Sequence, residues 1–264
     1  MTQVLRGKAI VNTRASHQAS DFDLLIRERG AVPIAYPCIA IVPPDDTTEL
    51  DAALKQLNAG GFDWLVLTSA NTVYSLAQRL HKLDLMLTGK FKVAAVGPST
   101  AEAAQAQLGL QVDLVPDDYI AESLGQALIE QGGERVFLPE SAIARPNLKD
   151  MLMSTGAEVV AVDAYQTVCG SGGVDLPAML HQGEVDVITF TSSSTVDGFV
   201  ERLNKTGSGL SALGDARIAC IGPKTAQTAS EHGLPAAIVP DDYTLVGLLD
   251  AIEKEFTKQF GGVS

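Results

Sequence analysis

The chain has 264 residues, 46% of them hydrophobic, with ordinary glycine and proline contents and a formal net charge of −13. That length allows one large or two modest globular domains. The charge argues against a nucleic-acid backbone as partner, because no cationic surface exists to displace its counterions, but it does not exclude a small anion, which local dipoles can bind.

In chain order, AIVNT (9–13) is a short β-rich run, followed by an amphipathic segment over 16–29 that Gly30 closes as a helix C-cap. YPCIAIVPPDD (36–46) breaks the pattern, being extended and proline-rich. WLVLT (64–68) leads into a helix over 70–81, KVAAV (92–96) into one over 99–108, and VDLV (112–115) into one over 121–131. RVFL (135–138) precedes a helix over 144–155 closed by Gly156, and VVAV (159–162) follows. AYQTVCGSGGVD (164–175) is the second break; it begins extended and ends in glycines. VITFT (187–191) then leads to a helix over 195–203, RIACI (217–221) to one over 224–232, and a last helix spans 244–257. Short apolar runs alternating with amphipathic segments are the pattern of buried parallel strands with crossover helices, hence an α/β fold.

The pattern is written twice. AVGPSTA (95–101) matches CIGPKTA (220–226), FDWLVLTSANTV (62–73) matches VDVITFTSSSTV (185–196), and VDLVPDDYIAESL (112–124) matches AAIVPDDYTLVGL (236–248). Residues 7–35 match 133–161 more weakly. A period this long is a duplicated domain rather than a solenoid. The two pattern breaks fall at equivalent places in the copies, each after its second strand, and read as inter-domain connectors.

Several chemistries are not encoded. There is no GxxxxGK[ST], GxSxG or HExxH. GSGLSA (207–212) follows a helix and precedes a strand, the reverse of the dinucleotide-binding context. His17, His81, His181 and His232 are scattered on polar helical faces and read as surface residues, and Cys38, Cys169 and Cys220 as core thiols. No window approaches the roughly 18 apolar residues of a membrane span, and MTQVLRGKAIVNTR lacks the apolar run of a signal peptide. The expectation is a soluble cytoplasmic protein with no membrane or nucleic-acid partner.

What remains is a set of turns at strand ends, where ligands of open α/β sheets bind. They carry Thr68, Ser69 and Asn71 in one copy and Thr191, Ser192, Ser193 and Ser194 in the other. Two further turns carry Ser99 and Thr100, and Lys224 and Thr225, each after a Gly-Pro. Each opens a helix, whose free N–H groups and dipole favour an anion. Ser, Thr and Asn are also the ordinary helix N-caps, so any one turn reads equally as structure. Arg14 and Arg145 follow equivalent strands and read either as carboxylate partners or as solvated arginines. Tyr165 lies at the entry to the second connector, as a core or a contact residue. The two PDDY segments (116–119 and 240–243) read as helix-initiating turns.

NTRA, LTSANTV, VGPSTA, AYQT, FTSSSTV and IGPKTA, in this order over about residues 5–255, resemble the uroporphyrinogen-III synthase family. The resemblance implies two flavodoxin-like α/β domains joined by two extended connectors, near 39–44 and 163–170, with the active cleft between them. One domain would be discontinuous, about 1–38 with 171–264, and the other would span about 45–162. It implies a monomer that cyclises hydroxymethylbilane to uroporphyrinogen III, losing water and inverting ring D through a spiro-pyrrolenine, with no metal or organic cofactor. The preceding enzyme, hydroxymethylbilane synthase, would be a transient donor partner. Tyr165 is similar to a cleft tyrosine that could assist departure of the hydroxyl without being indispensable. Thr100, Thr225 and Ser192–Ser194 match cleft hydroxyls, and Lys224 stands where the twin turn has Ser99. The rival readings are a two-lobed protein that binds a tetrapyrrole or other polyanion without turnover, and a nucleotide- or flavin-binding protein. The missing glycine-rich phosphate loop speaks against the second.

Overall fold

A computed structural model describes residues 4–132 and 134–260. Residues 1–3, Gly133 and 261–264, which the repeat and domain spans above include, lie outside the described residues. The chain divides into two compact units, residues 1–40 with 167–264 and residues 41–166.

The first unit is built on a five-stranded sheet of β1 (Ala9–Asn12), β2 (Val32–Ala35), β8 (Val187–Phe190), β9 (Arg217–Cys220) and β10 (Ala236–Ile238). Every pairing is parallel, in the order β2-β1-β8-β9-β10. Counted within the unit this is 2-1-3-4-5, one of the two common doubly wound orders. The helices are α1 (Ser16–Glu28), α7 (Leu176–His181), α8 (Ser193–Lys205), α9 (Pro223–Glu231) and α10 (Leu245–Phe260). Both sheet faces are covered. Val11, Ile188, Phe190, Ile218 and Cys220 pack on one side with Phe199 and Leu203, while Ile10, Val187 and Ala219 pack on the other with Phe22 and Leu249. Successive strand residues alternate faces, so two buried faces require near-continuous apolar runs, as the sequence has.

The second unit orders its strands β3-β7-β6-β4-β5. They are β3 (Ile39–Val42), β4 (Trp64–Leu67), β5 (Lys92–Ala95), β6 (Arg135–Ser141) and β7 (Glu158–Cys169), with helices α2 (Thr48–Asn58), α3 (Ala70–Leu83), α4 (Pro98–Leu108), α5 (Ala121–Gln131) and α6 (Asn147–Met153). Leu65, Leu67 and Phe137 face one core, and Trp64, Val66, Val136 and Leu138 the other. The duplicated halves thus exchange their first two strands. β1, from the first copy, pairs with β8 of the second, and β6, from the second, pairs with β4 of the first.

Several local expectations need correction. VDLV (112–115) is not a full strand; it meets β5 only as a bridge between Ala94 and Leu114. The Asp113 carboxylate accepts the Val93 N–H at 2.7 Å, and Pro116 can donate nothing to a ladder. The extended segment 36–46 contains a true strand, β3, and β7 runs unbroken into the second break. Helices α2 and α7 occupy stretches to which the periodicity reading assigned no element. The C-caps of α1 and α6 are Arg29 and Ser154 rather than the glycines; Gly30 and Gly156 follow them, with φ of 76° and 92°.

Candidate functional site

Because β1, β2, β8, β9 and β10 pair in parallel in the first unit, and β4, β5, β6 and β7 in the second, the turns that follow these strands share one edge of their sheet. The exchange decides which residues meet. Arg14, Ser192–Ser194, Lys224 and Thr225 belong to the first unit, and Thr68, Ser69, Asn71, Ser99, Thr100, Arg145 and Tyr165 to the second.

In the first unit, buried polar groups fix the end of β1. Thr13 donates to the Thr189 carbonyl and Thr189 to the Val11 carbonyl, each at 2.6 Å, tying β1 to β8. Asn12 donates to Asp23 Oδ1 at 2.8 Å and to the Ala19 carbonyl at 3.1 Å, and accepts the Arg14 N–H at 3.1 Å. Arg14 precedes α1 and is half-buried, with Nε donating to the Gln18 carbonyl in the first turn of that helix at 3.0 Å. Burial holds its guanidinium below the usual arginine range, against an opposing pull from Asp21.

After β8, Ser192 is the N-cap of α8 in an extended conformation (φ −166°, ψ 160°). Its Oγ accepts the Thr195 N–H, and Thr195 Oγ1 accepts the Ser192 N–H, both at 3.3 Å, forming a reciprocal capping box. Ser194 Oγ lies 3.0 Å from Ser192 Oγ. Ser193 Oγ accepts from Thr228 of α9 at 2.8 Å, which ties the start of α8 to the middle of α9. After β9, Gly222 is the N-cap of α9, Pro223 its first residue, Lys224 is exposed, and Thr225 is buried at 5% exposure.

The second unit repeats the arrangement. Ser69 is the N-cap of α3 (φ −163°, ψ 157°), accepting the Thr72 N–H at 3.1 Å. It also shares hydrogen bonds with Thr72 Oγ1 at 3.0 Å and Tyr165 Oη at 3.3 Å. Ser75 donates to the Ala164 carbonyl at 2.5 Å, holding α3 against β7 beside Tyr165. Tyr165 is 7% exposed, its ring in the core of this unit and its hydroxyl on the cap of α3. Gly97 caps α4, followed by Pro98, exposed Ser99 and Thr100 at 3% exposure. Thr68 and Asn71 are half-buried in the α3 turn, and Arg145 is exposed in the turn after β6.

The four turns divide into two kinds. At Ser69 and Ser192 the hydroxyl itself caps the helix. At Gly97 and Gly222 no side chain caps the helix. The first helical residue of each is a proline, which has no N–H, and in α4 the Thr100 N–H turns back to the Gly97 carbonyl at 3.1 Å.

Sequence reasoning missed Thr228, which fixes Ser193, and the placement of the PDDY tyrosines. These segments do precede α5 and α10, but Tyr119 also reaches back onto Gly97, and Tyr243 onto Gly222. Their repetition beside a repeated Gly-Pro was the available signal.

Among the described residues no group of three or more His, Cys, Asp or Glu could hold a metal ion. Cys38 and Cys220 are buried and Cys169 is half-buried. Burial pushes the Cys220 thiol up to about 12 and raises the other two, which suits inert thiols. No helix among the described residues is long and apolar enough to cross a membrane.

Fold and site together define a class: a duplicated parallel α/β protein offering hydroxyls, backbone N–H groups and a few cations at its sheet edges. The family model described as uroporphyrinogen-III synthase HemD matches residues 20–250. A protein named uroporphyrinogen-III synthase from Synechococcus elongatus is 37% identical over 258 residues, covering 96% of this chain and 97% of the relative. A putative uroporphyrinogen-III synthase from Methanothermobacter thermautotrophicus is 34% identical over 200 residues, covering 74% of this chain and 78% of that one. A crystal structure of a mutant uroporphyrinogen III synthase from Thermus thermophilus aligns with a TM-score of 0.60, covering 96% of this chain and 100% of that one. At 23% identity, that likeness is one of fold. The chain belongs to the uroporphyrinogen-III synthase family.

Proposed function

We propose that this chain converts hydroxymethylbilane to uroporphyrinogen III, closing the linear tetrapyrrole with loss of water and inversion of ring D. The observation that carries this is the 37% identity to a uroporphyrinogen-III synthase along almost the full length of both chains. The chemistry fits the site. The hydroxyl on ring A of the substrate leaves as water once protonated, giving an azafulvene. The substituted carbon of ring D attacks it to form a spiro-pyrrolenine, which fragments and recloses with ring D reversed. Without an enzyme the same azafulvene closes through the free carbon of ring D. Catalysis therefore rests mainly on holding the chain in one geometry.

The substrate's eight carboxylates suit helix N-termini, Ser99, Thr100, Ser193, Ser194 and Thr225, with Arg14, Arg145 and Lys224 as local cations. Such donors bind carboxylates without making the protein basic, in keeping with its net charge of −13. Tyr165 is the assisting proton donor to the departing hydroxyl, through the hydroxyl it turns toward Ser69. Thr68, Ser69, Asn71 and Ser192 shape the turns. The two domains follow the connectors near 39–44 and 163–170. Hydroxymethylbilane synthase hands over the substrate transiently, and the reaction takes place in the cytoplasm on a monomer.

The test supplies hydroxymethylbilane continuously from its synthase and separates the uroporphyrinogen isomers after oxidation. Type III in excess over the protein-free control supports the reading, and type I alone refutes it.

A further inference from the structure

Tyr165 is held in place except for the direction of its hydroxyl hydrogen. Its carbonyl accepts the Ala142 N–H at 3.0 Å, the carbonyl before it accepts from Ser75 at 2.5 Å, and its ring lies in the core of the second unit. Its Oη lies 3.3 Å from Ser69 Oγ, a contact in which either oxygen can donate. Which one does so decides whether the tyrosine's own hydrogen is tied to the helix cap or available to another group.

The lone pairs of Ser69 decide between the two. Thr72 is 0% exposed, so its hydroxyl hydrogen needs an acceptor. Among the described residues of its unit, the acceptor that Thr72 Oγ1 meets is Ser69 Oγ, at 3.0 Å. Ser69 Oγ also accepts the Thr72 N–H at 3.1 Å as the cap of α3. A hydroxyl has two lone pairs and one hydrogen, and Thr72 fills both lone pairs. The hydrogen of Ser69 is left for Tyr165 Oη. The other copy differs at the matching place. In α8, Thr195 Oγ1 donates to the Ser192 carbonyl at 2.6 Å, and Ser192 Oγ is met by Ser194 at 3.0 Å. The threonine hydroxyl is thus turned onto the serine in the copy whose cap touches a tyrosine, and onto backbone in the other.

We infer that Ser69 donates to Tyr165 Oη and thereby leaves the tyrosine's own hydrogen for the departing substrate hydroxyl. Ser69 is then a positioning residue that acts through Tyr165, and Thr72 sets its direction. This rests on the function proposed above and deepens it. In the step, the Tyr165 hydrogen passes to the hydroxyl on ring A, the carbon–oxygen bond breaks, and water leaves with the bonding pair, giving a protonated azafulvene. Tyr165 is left as a phenolate, whose charge strengthens the bond from Ser69. At 3.3 Å that bond is long for two neutral hydroxyls, so it has room to shorten as the charge forms. The proton shed by ring D when its free carbon closes the macrocycle restores the phenol, and only water is lost.

The test is a double-mutant cycle read as kcat and KM for type III formation, with hydroxymethylbilane supplied by its synthase. Ser69→Gly removes the hydroxyl while glycine still serves as a helix cap. It should lower kcat about tenfold, the worth of one hydrogen bond to a forming charge, and leave KM within about twofold. Ser69→Thr, which keeps the hydroxyl, should recover most of that loss. With Tyr165→Phe already in place, Ser69→Gly should change kcat by less than about twofold, because the group it serves is gone. Thr72→Val removes a buried hydroxyl while keeping the side-chain shape and the capping N–H. It should lower kcat in the parent but not beside Tyr165→Phe, and it replaces Ser69→Gly should that variant fail to fold. A loss of equal size in both backgrounds would make Ser69 a cap alone and overturn the inference. So would Ser69→Gly or Thr72→Val at the parental kcat, or a Tyr165→Phe variant as fast as the parent. In each of these cases the parent's type III product keeps the function standing, whereas a parent yielding only type I would sink the function itself.

Discussion

Ser193, Thr225 and Tyr165 separate positioning from discrete catalysis. Each neutral hydrogen bond contributes on the order of 0.5–1.5 kcal/mol, so Ser193→Ala and Thr225→Ala should slow type III formation roughly threefold to tenfold and leave activity measurable. Tyr165→Phe removes the proposed proton donor and should lower kcat by about 10²-fold, measured under saturating hydroxymethylbilane. A second residue-level expectation concerns Glu140, half-buried at the end of β6 opposite Asp163 of β7. Burial, and then Asp163, hold its carboxyl above the usual range, with Lys149 opposing. The folded chain therefore holds this proton more tightly than the unfolded chain. Its contribution to stability is present below the ordinary carboxylate pKa and is lost as pH rises through the elevated one. Glu140→Gln should raise the thermal midpoint at pH 7, and the gain should fade on acidification toward about pH 4. The hydroxyls were legible in the sequence because they sit at strand ends in both copies. Their division into caps and open donors was not, because Ser69 and Ser99 differ only in whether a glycine already occupies the cap.

At the level of elements, α8 holds the chain where it passes from one unit to the other. Arg202 donates to the Pro37 carbonyl at 2.5 Å and to the Gly172 carbonyl at 2.8 Å, with its guanidinium 3.6 Å from the Tyr36 ring centroid. One turn earlier, Gly198 lets the chain pass close; an added Cβ would lie 2.0 Å from the Cys38 carbonyl oxygen. Backbone cannot yield there as a flexible side chain would, so Gly198→Ala should cost about 1–3 kcal/mol, seen as a lower midpoint in chemical denaturation. Most strands and helices were readable from periodicity, since strands with two buried faces need unbroken apolar runs. The strand exchange is not written in that periodicity. β4 and β8 offer nearly the same apolar edge, and the choice between them is made by contacts such as that of Thr13 with Thr189. The PDDY tyrosines escaped for a related reason: their contact is with a glycine some 20 residues earlier, beyond the reach of local pattern.

For the whole molecule, a net charge of −13 meets a substrate with eight carboxylates. Long-range repulsion slows their encounter, and salt screens it over a Debye length of about 10 Å at 0.1 M. Raising salt from about 20 to about 200 mM should therefore raise kcat/KM, whereas a fall would assign the encounter to Arg14, Arg145 and Lys224. The family also follows from the whole chain: no single turn specifies it, but their order, their spacing and their duplication do. The central claim is that this chain directs ring closure by geometry, through many modest contacts. It is tested most directly by the ratio of type III to type I uroporphyrinogen, measured with continuous hydroxymethylbilane supply for the parent and for single alanine variants across Ser99, Thr100, Ser193, Ser194, Lys224 and Thr225. The parent should give predominantly type III, and each variant should shift the ratio partway toward type I in proportion to its loss of rate. One folded variant that abolishes type III formation while the others match the parent would contradict distributed positioning and place the chemistry on a single group.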